Sequence, residues 1–363
     1  MRVEISKEDL LKGIQVIQNV INPRSTLPIL SNILMETQKE NSLKLISTDL
    51  DIGIATILPI EVQEAGSITV PAKKFADIIK ELPDDIVNIA VKKNNIVNIT
   101  SRTCQFKLMG LPKEEFPKLA DFQDQHPIEL EQGVIKEMLE LVYFAASTDE
   151  TRYVLNGILM EIKDKVLKFV ATDGRRLAIV KRNLATVFPK DTSVIIPVKT
   201  AQELNRNLGE EGLLQFFLGE NQVLFKMGAT SITSRLIEGE FPDYNSVIPQ
   251  PVDNKVKLNR QGFLLALRRA SLLSTLDYQA VKLELFKNKM VISKSTPDLG
   301  ESREELDVEY AGKELIIGFN PYYIMDVLKS LASEIVAFEI TDSDKPGAIR
   351  SQDYIYIVLP MRI

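Results

Sequence analysis

The chain repeats itself, so its fold must be built from similar units in series. Glu115-Phe116-Pro117 returns as Glu240-Phe241-Pro242, Thr48-Asp49 returns as Thr172-Asp173, and Val70-Pro71, ahead of a helix-like stretch, returns as Ile196-Pro197. All three intervals are about 125 residues, and equal spacing between unrelated words marks a tandem of structural units. A third copy is clear in pattern rather than in words. Each copy opens with an alternating strand (2–5, 128–130, 255–258) and continues into a helical stretch (7–21, 132–146, 260–274). Paired strands follow (33–36 with 43–47, 157–162 with 166–172, 281–285 with 290–294). A further strand leads to a second helix (73–82, 199–208, 321–331), and two more strands close each copy.

Local signals support this layout. Leu10, Leu11, Ile14, Ile17 and Ile21 fall at helical spacing, with Lys7, Lys12, Gln15 and Asn19 elsewhere. Ser6 reads as an N-cap with Asp9 three residues on, and Asn320 before Pro321 reads as another helix start. Asn94-Asn95, between Ile89-Ala90-Val91 and Ile96-Val97-Asn98-Ile99, reads as a hairpin turn. The expected class is α+β, with three similar domains at 1–122, 123–250 and 251–363. Pro249 and Pro251 suit the second linker.

Composition narrows the function. With 363 residues, of which 45% are apolar, each domain can bury a core. Lys plus Arg number 44 against 50 Asp plus Glu, a formal charge of -6, which disfavours a uniformly basic DNA binder but leaves room for a basic concavity. The single cysteine, Cys104, excludes an internal disulfide and Cys-based zinc clusters, and the single histidine, His126, excludes multi-His metal sites. The N-terminus has no basic stretch followed by an apolar core. No apolar run reaches the roughly 18 residues of a membrane span. A soluble, cytoplasmic protein is expected.

Motifs for catalysis are missing: there is no G-x-x-x-x-G-K-[ST], G-x-G-x-x-G, H-E-x-x-H or G-x-S-x-G. His126 reads as a surface or linker histidine and Cys104 as a packed strand residue. Glu114-Glu115, Glu210-Glu211 and Glu304-Glu305 read as solvated charge, so an acid–base hydrolase has no motif to stand on. Asn98-Ile99-Thr100 is a formal glycosylation sequon inside an expected strand, and is discounted. No enzyme activity, metal or cofactor is expected. Basic residues recur on the helices: Lys12, Lys136, Arg268 and Arg269 on the first of each copy, and Lys73, Lys74, Lys80, Lys199, Arg206 and Lys329 on the second. Spacing alone does not decide between a phosphate-facing surface and ordinary solvated helix faces.

A family resemblance decides more. The words Thr26-Leu27-Pro28-Ile29-Leu30-Ser31-Asn32, Ser47-Thr48-Asp49-Leu50, Val70-Pro71-Ala72-Lys73-Lys74-Phe75 and Arg152-Tyr153-Val154-Leu155-Asn156-Gly157 carry it. So do Ala171-Thr172-Asp173-Gly174-Arg175-Arg176-Leu177-Ala178, Phe241-Pro242-Asp243-Tyr244 and Val358-Leu359-Pro360-Met361-Arg362-Ile363. Over its whole length the chain resembles the bacterial DNA sliding clamps, the beta subunits of DNA polymerase III. The resemblance implies three processivity-fold domains per chain and a head-to-tail dimer that closes into a ring, with helices lining the hole and sheets outside. It implies a non-catalytic processivity factor of DNA replication. Its partners would be double-stranded DNA of any sequence, the replicative polymerase alpha subunit, the clamp loader, and other polymerases and repair proteins bearing clamp-binding motifs, with no membrane.

Residue by residue, the resemblance places Arg24, Lys12, Lys73, Lys136, Thr148, Asp149, Lys199, Arg206, Arg268 and Arg269 toward DNA, through the loops 22–26 and 147–152 and the helices. Thr148-Asp149 departs from a His-Gln pair carried by some members, and an Asp there would repel phosphate. A partner-peptide cleft is implied at Leu155, Thr172, Gly174, Arg175, Arg176, Leu177, Pro242, Val247, Val358, Pro360 and Met361, with Ser246 replacing an Arg of some members. Pro360 should stop the last strand, leaving Met361 beyond it as cleft wall opposite Leu177 and Pro242. The dimer contact is implied at Lys74, Ile78, Leu82, Phe106 and Leu108 on one side, and at Leu272 and Leu273 with Asp298, Glu301 and Glu304 on the other. The alternative is a tandem-domain scaffold that binds proteins and never encircles DNA.

Overall fold

In a computed structural model of the chain, the described residues are 1–21, 26–92, 94–120, 122, 127–184, 191–253, 255–275 and 277–363; Arg24 and His126 lie outside them. The chain forms two compact units, Met1–Lys136 with Gln202–Leu236, and Glu137–Ala201 with Ile237–Ile363. Among the described residues, six α-helices fall two to each repeat: α1 Lys7–Ile17, α2 Ala72–Glu81, α3 Gln132–Glu140, α4 Val198–Asn207, α5 Arg260–Ser271 and α6 Pro321–Ser330. Three begin at side-chain caps. The Asp9 amide donates to Ser6 Oγ at 3.1 Å, the Gly262 amide to Asn259 Oδ1 at 2.8 Å, and the Tyr322 amide to Asn320 Oδ1 at 3.0 Å.

The first helix of each copy is shorter than its apolar periodicity implies. α1 stops at Ile17 and tightens into a 3-10 turn, Gln18–Val20, that buries Val20. The Ser47 hydroxyl donates to the freed Ile17 carbonyl at 2.5 Å, satisfying one of the orphan acceptors of a helix end. α3 likewise ends at Glu140 before a 3-10 turn at Tyr143–Ala145, and α5 ends at Ser271. The buried stripe of α1 is Leu10, Gly13, Ile14 and Ile17; each large apolar side chain so placed contributes about 1.5–3 kcal/mol. At Gly13 the helix packs closely on the sheet, and a Cβ there would lie 2.5 Å from Leu58 Cδ1 and push that side chain aside.

Strands outnumber the six per copy expected. The additions include a third strand after each pair: Ile52–Pro59, Arg176–Asn183 and Gly300–Asp307. These strands make the junctions. In the first unit, Thr230–Arg235 pairs with Ile52–Pro59 (Ile232 opposite Ile54), joining four strands of each of two repeats into one eight-stranded antiparallel sheet. In the second unit, Tyr354–Val358 pairs with Arg176–Asn183 (Val358 opposite Arg176), again giving eight strands. The remaining sheets are end sheets. One has five strands with Cys104–Met109 at its edge, and the other has four with Gly300–Asp307 at its edge. Within the first of these, Asn95 takes φ 60° between Ile86–Val91 and Ile96–Ser101, as the hairpin reading requires. Cys104 is half-buried at a strand start, and Asn98 is buried within its strand.

The repeated Thr-Asp word is a turn. Thr48 Oγ1 donates to the Ile52 carbonyl at 2.9 Å and accepts from the Leu50 amide, while Asp49 Oδ1 accepts from the amides of Asp51 and Ile52. Thr172 and Asp173 make the same four bonds to Arg176, Gly174, Arg175 and Arg176. Both turns need a left-handed residue. Gly174 supplies φ 84° without strain, but the first copy has Leu50 at φ 83°. Leu50→Gly is therefore expected to stabilise the first unit by about 1 kcal/mol, since a non-Gly residue held there costs roughly 1–3 kcal/mol, part of it returned as backbone entropy. Calorimetry would check it, and a lowered melting temperature would contradict the strain.

Candidate functional site

The residues expected to form the partner cleft gather in the second unit, where the Thr172–Arg176 turn meets the last strand. Arg176 stands opposite Val358, Leu177 opposite Ile357, and the Leu359 amide donates to the Arg175 carbonyl at 2.9 Å. Strand pairing thus brings Thr172, Gly174, Arg175, Leu177 and Val358 to one place. Gly174, Arg175 and Pro242 are exposed there, and Val247 is 57% exposed. Leu177 and Val358 are buried beneath these residues and support that surface from within. Leu155 enters on a 3-10 stretch, Glu150–Asn156, its carbonyl accepting from the Ser147 amide at 2.9 Å.

Arg176 faces inward. Its side chain donates to Asp173 Oδ2 (3.0 Å), Asp326 Oδ2 (2.8 Å) and the Phe144 carbonyl (2.5 Å), and its guanidinium lies 4.5 Å from the Tyr323 ring centroid. Burial opposes its charge, but the bond to Asp326 and the neighbouring carboxylates outweigh this and raise its pKa. Arg176 is a hub that fixes the turn rather than a group free to meet a ligand. Asp326, Phe144 and Tyr323 were not among the residues singled out from sequence.

The C-terminus leaves its regular strand at Val358, with Met361 beyond it as expected. Beyond Pro360 the chain pairs again: the Met361 amide donates to the Gly318 carbonyl at 2.8 Å, and a Cβ on Gly318 would meet the Met361 carbonyl at 2.6 Å. Met361 is thus outside the last strand, Tyr354–Val358, but held by the strand Leu315–Phe319, with its side chain half-exposed.

On the other wall, Tyr244 follows Pro242 and packs with Leu177, Leu159 and Ile357. Its hydroxyl donates to Glu161 Oε2 at 2.5 Å and accepts from Lys168 Nζ at 2.8 Å. Burial, and then the bond to Glu161, raise the Tyr244 pKa. The first copy resolves the same location differently. Gly53 stands where Leu177 does, and Leu119 fills the space, close enough to clash with any Cβ on Gly53.

Several of the cations read toward DNA have local partners. Lys12 pairs with Glu8 at 2.6 Å, Lys136 with Glu210 at 2.5 Å and Arg206 with Glu203, while Arg269 Nε reaches Glu304 Oε2 at 2.8 Å. Arg269 holds the Glu304 carboxyl below its usual range. Lys73, Lys199 and Arg268 are exposed. Thr148 is exposed, and Asp149 caps the following turn, accepting from the Thr151 amide and hydroxyl, with Arg152 3.6 Å away. Those Thr151 bonds are what lower its pKa first.

Of the residues assigned to the dimer contact, Leu272 is 78% exposed at the end of α5 and Phe106 is exposed on its edge strand; Lys74, Asp298 and Glu301 are exposed, and Ile78, Leu108, Leu273 and Glu304 are half-buried. Leu82 is 3% exposed, enclosed within its own domain at the end of α2, and offers no side-chain area to a partner.

Comparison with known proteins places these features in a family. Models of the DNA polymerase III beta subunit match in chain order: the N-terminal domain over residues 1–120, the central domain over 129–243 and the C-terminal domain over 245–362. The beta sliding clamp of Escherichia coli K12 is 36% identical and that of Pseudomonas putida 35%, each covering all of both chains. Among solved structures, the Pseudomonas aeruginosa sliding clamp bound to griselimycin aligns with a TM-score of 0.93 at 34% identity over the full length of both chains. The Bacillus subtilis clamp aligns at 0.92 and 31%, covering 100% of this chain and 99% of that one.

Proposed function

Because this chain belongs to the DNA polymerase III beta subunit, or beta sliding clamp, family, we propose that two copies close head to tail around duplex DNA and hold partners through the groove at Arg176. The chain is a non-catalytic processivity factor of bacterial DNA replication. The observation that carries the ring is in the sheets. The same junction is built twice inside the chain, a closing strand against a third strand, and this leaves one of each unpartnered within the chain: Cys104–Met109 and Gly300–Asp307. Pairing them between copies repeats the internal junction a third time and removes both open edges. A head-to-tail contact of this kind makes a ring when it closes. A scaffold indifferent to DNA is not favoured.

DNA inside such a ring is held by its backbone, and phosphate contacts carry no sequence information, so sliding is allowed. Lys73 and Arg268 are the exposed cations assigned to that role, together with Lys199 and Arg24. Lys12, Lys136, Arg206 and Arg269 contribute less net field because carboxylates stand beside them. Asp149, engaged by Thr151 and Arg152, repels phosphate less than a free carboxylate would. Among the described residues no helix is long and apolar enough to cross a membrane. The cytoplasm is the compartment we propose, because the family works on replicating bacterial DNA.

The groove takes short apolar segments of the replicative polymerase, the clamp loader, other polymerases and repair proteins. An apolar surface with a few polar groups suits that task. Griselimycin is the available probe, and calorimetric titration is expected to give one site per chain. Met361→Ala, which keeps the backbone bond to Gly318, should weaken binding about tenfold to a hundredfold, the loss of burying a Met side chain. Unchanged affinity would remove Met361 from the groove.

A further inference from the structure

We infer that Glu161, Lys168 and Tyr244 form a latch that positions the Pro242–Val247 wall of the partner groove, so that Lys168 and Glu161 set partner affinity without touching the partner. This rests on the groove reading above. Pro242 and Val247 are both exposed and lie on a segment without regular structure apart from a 3-10 turn at Asn245–Val247. Most hydrogen bonds in this segment are internal: the Ser246 hydroxyl donates to the Asp243 carbonyl, the Asn245 amide to Asp243 Oδ1, and the Val247 amide to the Tyr244 carbonyl. Among the described residues, the hydrogen bonds from 238–248 to the sheet all run through the Tyr244 hydroxyl. The ring of Tyr244 is 7% exposed and packs on Leu177, so its position fixes how far the wall stands from Leu177.

The three parts meet by register. Glu161 and Lys168 are direct neighbours across adjacent strands, 3.2 Å apart as an ion pair, and Lys168 Nζ also lies 5.4 Å from the Tyr244 ring centroid. A cavity of about 430 Å³ opens beside Glu161 and Lys168, and both side chains are about a third exposed, at 32% and 30%. An ion pair that open to water contributes little to global stability. Its geometry therefore serves the hydroxyl it holds.

Comparison of the repeats supports this. The first repeat keeps the cross-strand pair, Glu36 opposite Lys44, but Leu119 takes the place of the tyrosine, and Glu36 accepts from Lys113 at 2.6 Å instead. The third has Glu284 opposite Val291. Only the repeat whose turn and following segment line the groove carries all three groups.

The experiment is calorimetric titration of griselimycin into the full-length chain and its variants, beside melting temperatures. Tyr244→Phe keeps the ring and removes the hydroxyl; affinity is expected to fall about tenfold, with the melting temperature within about 2 °C of wild type. Lys168→Met should also weaken binding, and Lys168→Arg should restore it, because the donor and charge return. Lys44→Met, the same change in the first repeat, should leave binding as in wild type. Wild-type affinity in both Tyr244→Phe and Lys168→Met would overturn the latch alone. A weakened Lys168→Met that Lys168→Arg fails to rescue, with melting lowered in step, would reduce it to a general packing contact and overturn it too. A wild-type chain that binds no griselimycin would overturn the groove reading and the latch with it.

Discussion

Arg176→Met should destabilise the second unit by about 3–5 kcal/mol, the range seen when one partner of a buried ion pair is removed. Its side chain is 10% exposed and serves Asp173, Asp326 and the Phe144 carbonyl together. Without the guanidinium, two carboxylates are left facing the same space with no compensating charge, and an acceptor is orphaned. Arg176→Lys should recover only part of the loss, because a point charge cannot serve three acceptors in the geometry of a planar fork. The measurement is denaturant unfolding followed at the second unit. A loss under about 1 kcal/mol would contradict the hub, since exposed ion pairs already account for that much.

Leu272→Ala with Leu273→Ala should convert a dimer to monomers. Leu272 is 78% exposed in the single chain, so its side chain adds nothing to the fold that an interface would not add more. Leu273 is half-buried, and its carbonyl accepts from Thr296 Oγ1 at 2.5 Å, which holds the turn in place whichever side chain it carries. Each leucine buried in an interface contributes about 1.5–3 kcal/mol. A two-chain ring contains the interface twice, so the dissociation constant should rise by at least about 10⁴-fold. Sedimentation at micromolar concentration reads this directly, and an unchanged dimer would remove these residues from the contact.

Much of this architecture is legible without coordinates, and the reasons are local. Ser6 and Asn320 announce helix starts because a cap bonds within three residues of itself. The paired strands are legible for two reasons: Val281–Phe286 alternates strictly, while Ile33-Leu34-Met35 and Ile158-Leu159-Met160 are short apolar runs of the kind that forms a strand buried on both faces. The words Thr48-Asp49 and Thr172-Asp173 repeat because each turn is closed by its own two side chains. Helix ends are harder to read. The apolar periodicity of the first helix runs on to Ile21, yet the α-helix ends at Ile17 and tightens into a 3-10 turn, where Ser47, distant in sequence, takes the Ile17 carbonyl.

The site is less legible, because its parts come from distant places. Arg176 stands out through family resemblance, but its work depends on Asp326 and Phe144, which no spacing rule links to it. Tyr244 matters through Glu161 and Lys168, whose adjacency exists only once the strands are in register. Among the cations, the Lys12–Glu8 pair was readable at i,i+4, whereas the neutralisation of Arg269 by Glu304 was not. Leu82 lies at the apolar end of α2, where periodicity does not separate a side chain turned to the core from one turned to a partner.

The central claim is topological: the protein stays on DNA because the ring has no open end, not because it grips phosphate. The direct measurement loads the dimer onto nicked circular duplex with a clamp loader, isolates the complex at moderate salt, and then cuts the circle once with a restriction enzyme. The protein is expected to co-elute with the circle and to be released within minutes of linearisation, whatever the sequence of the DNA. Retention on the linear product would contradict it.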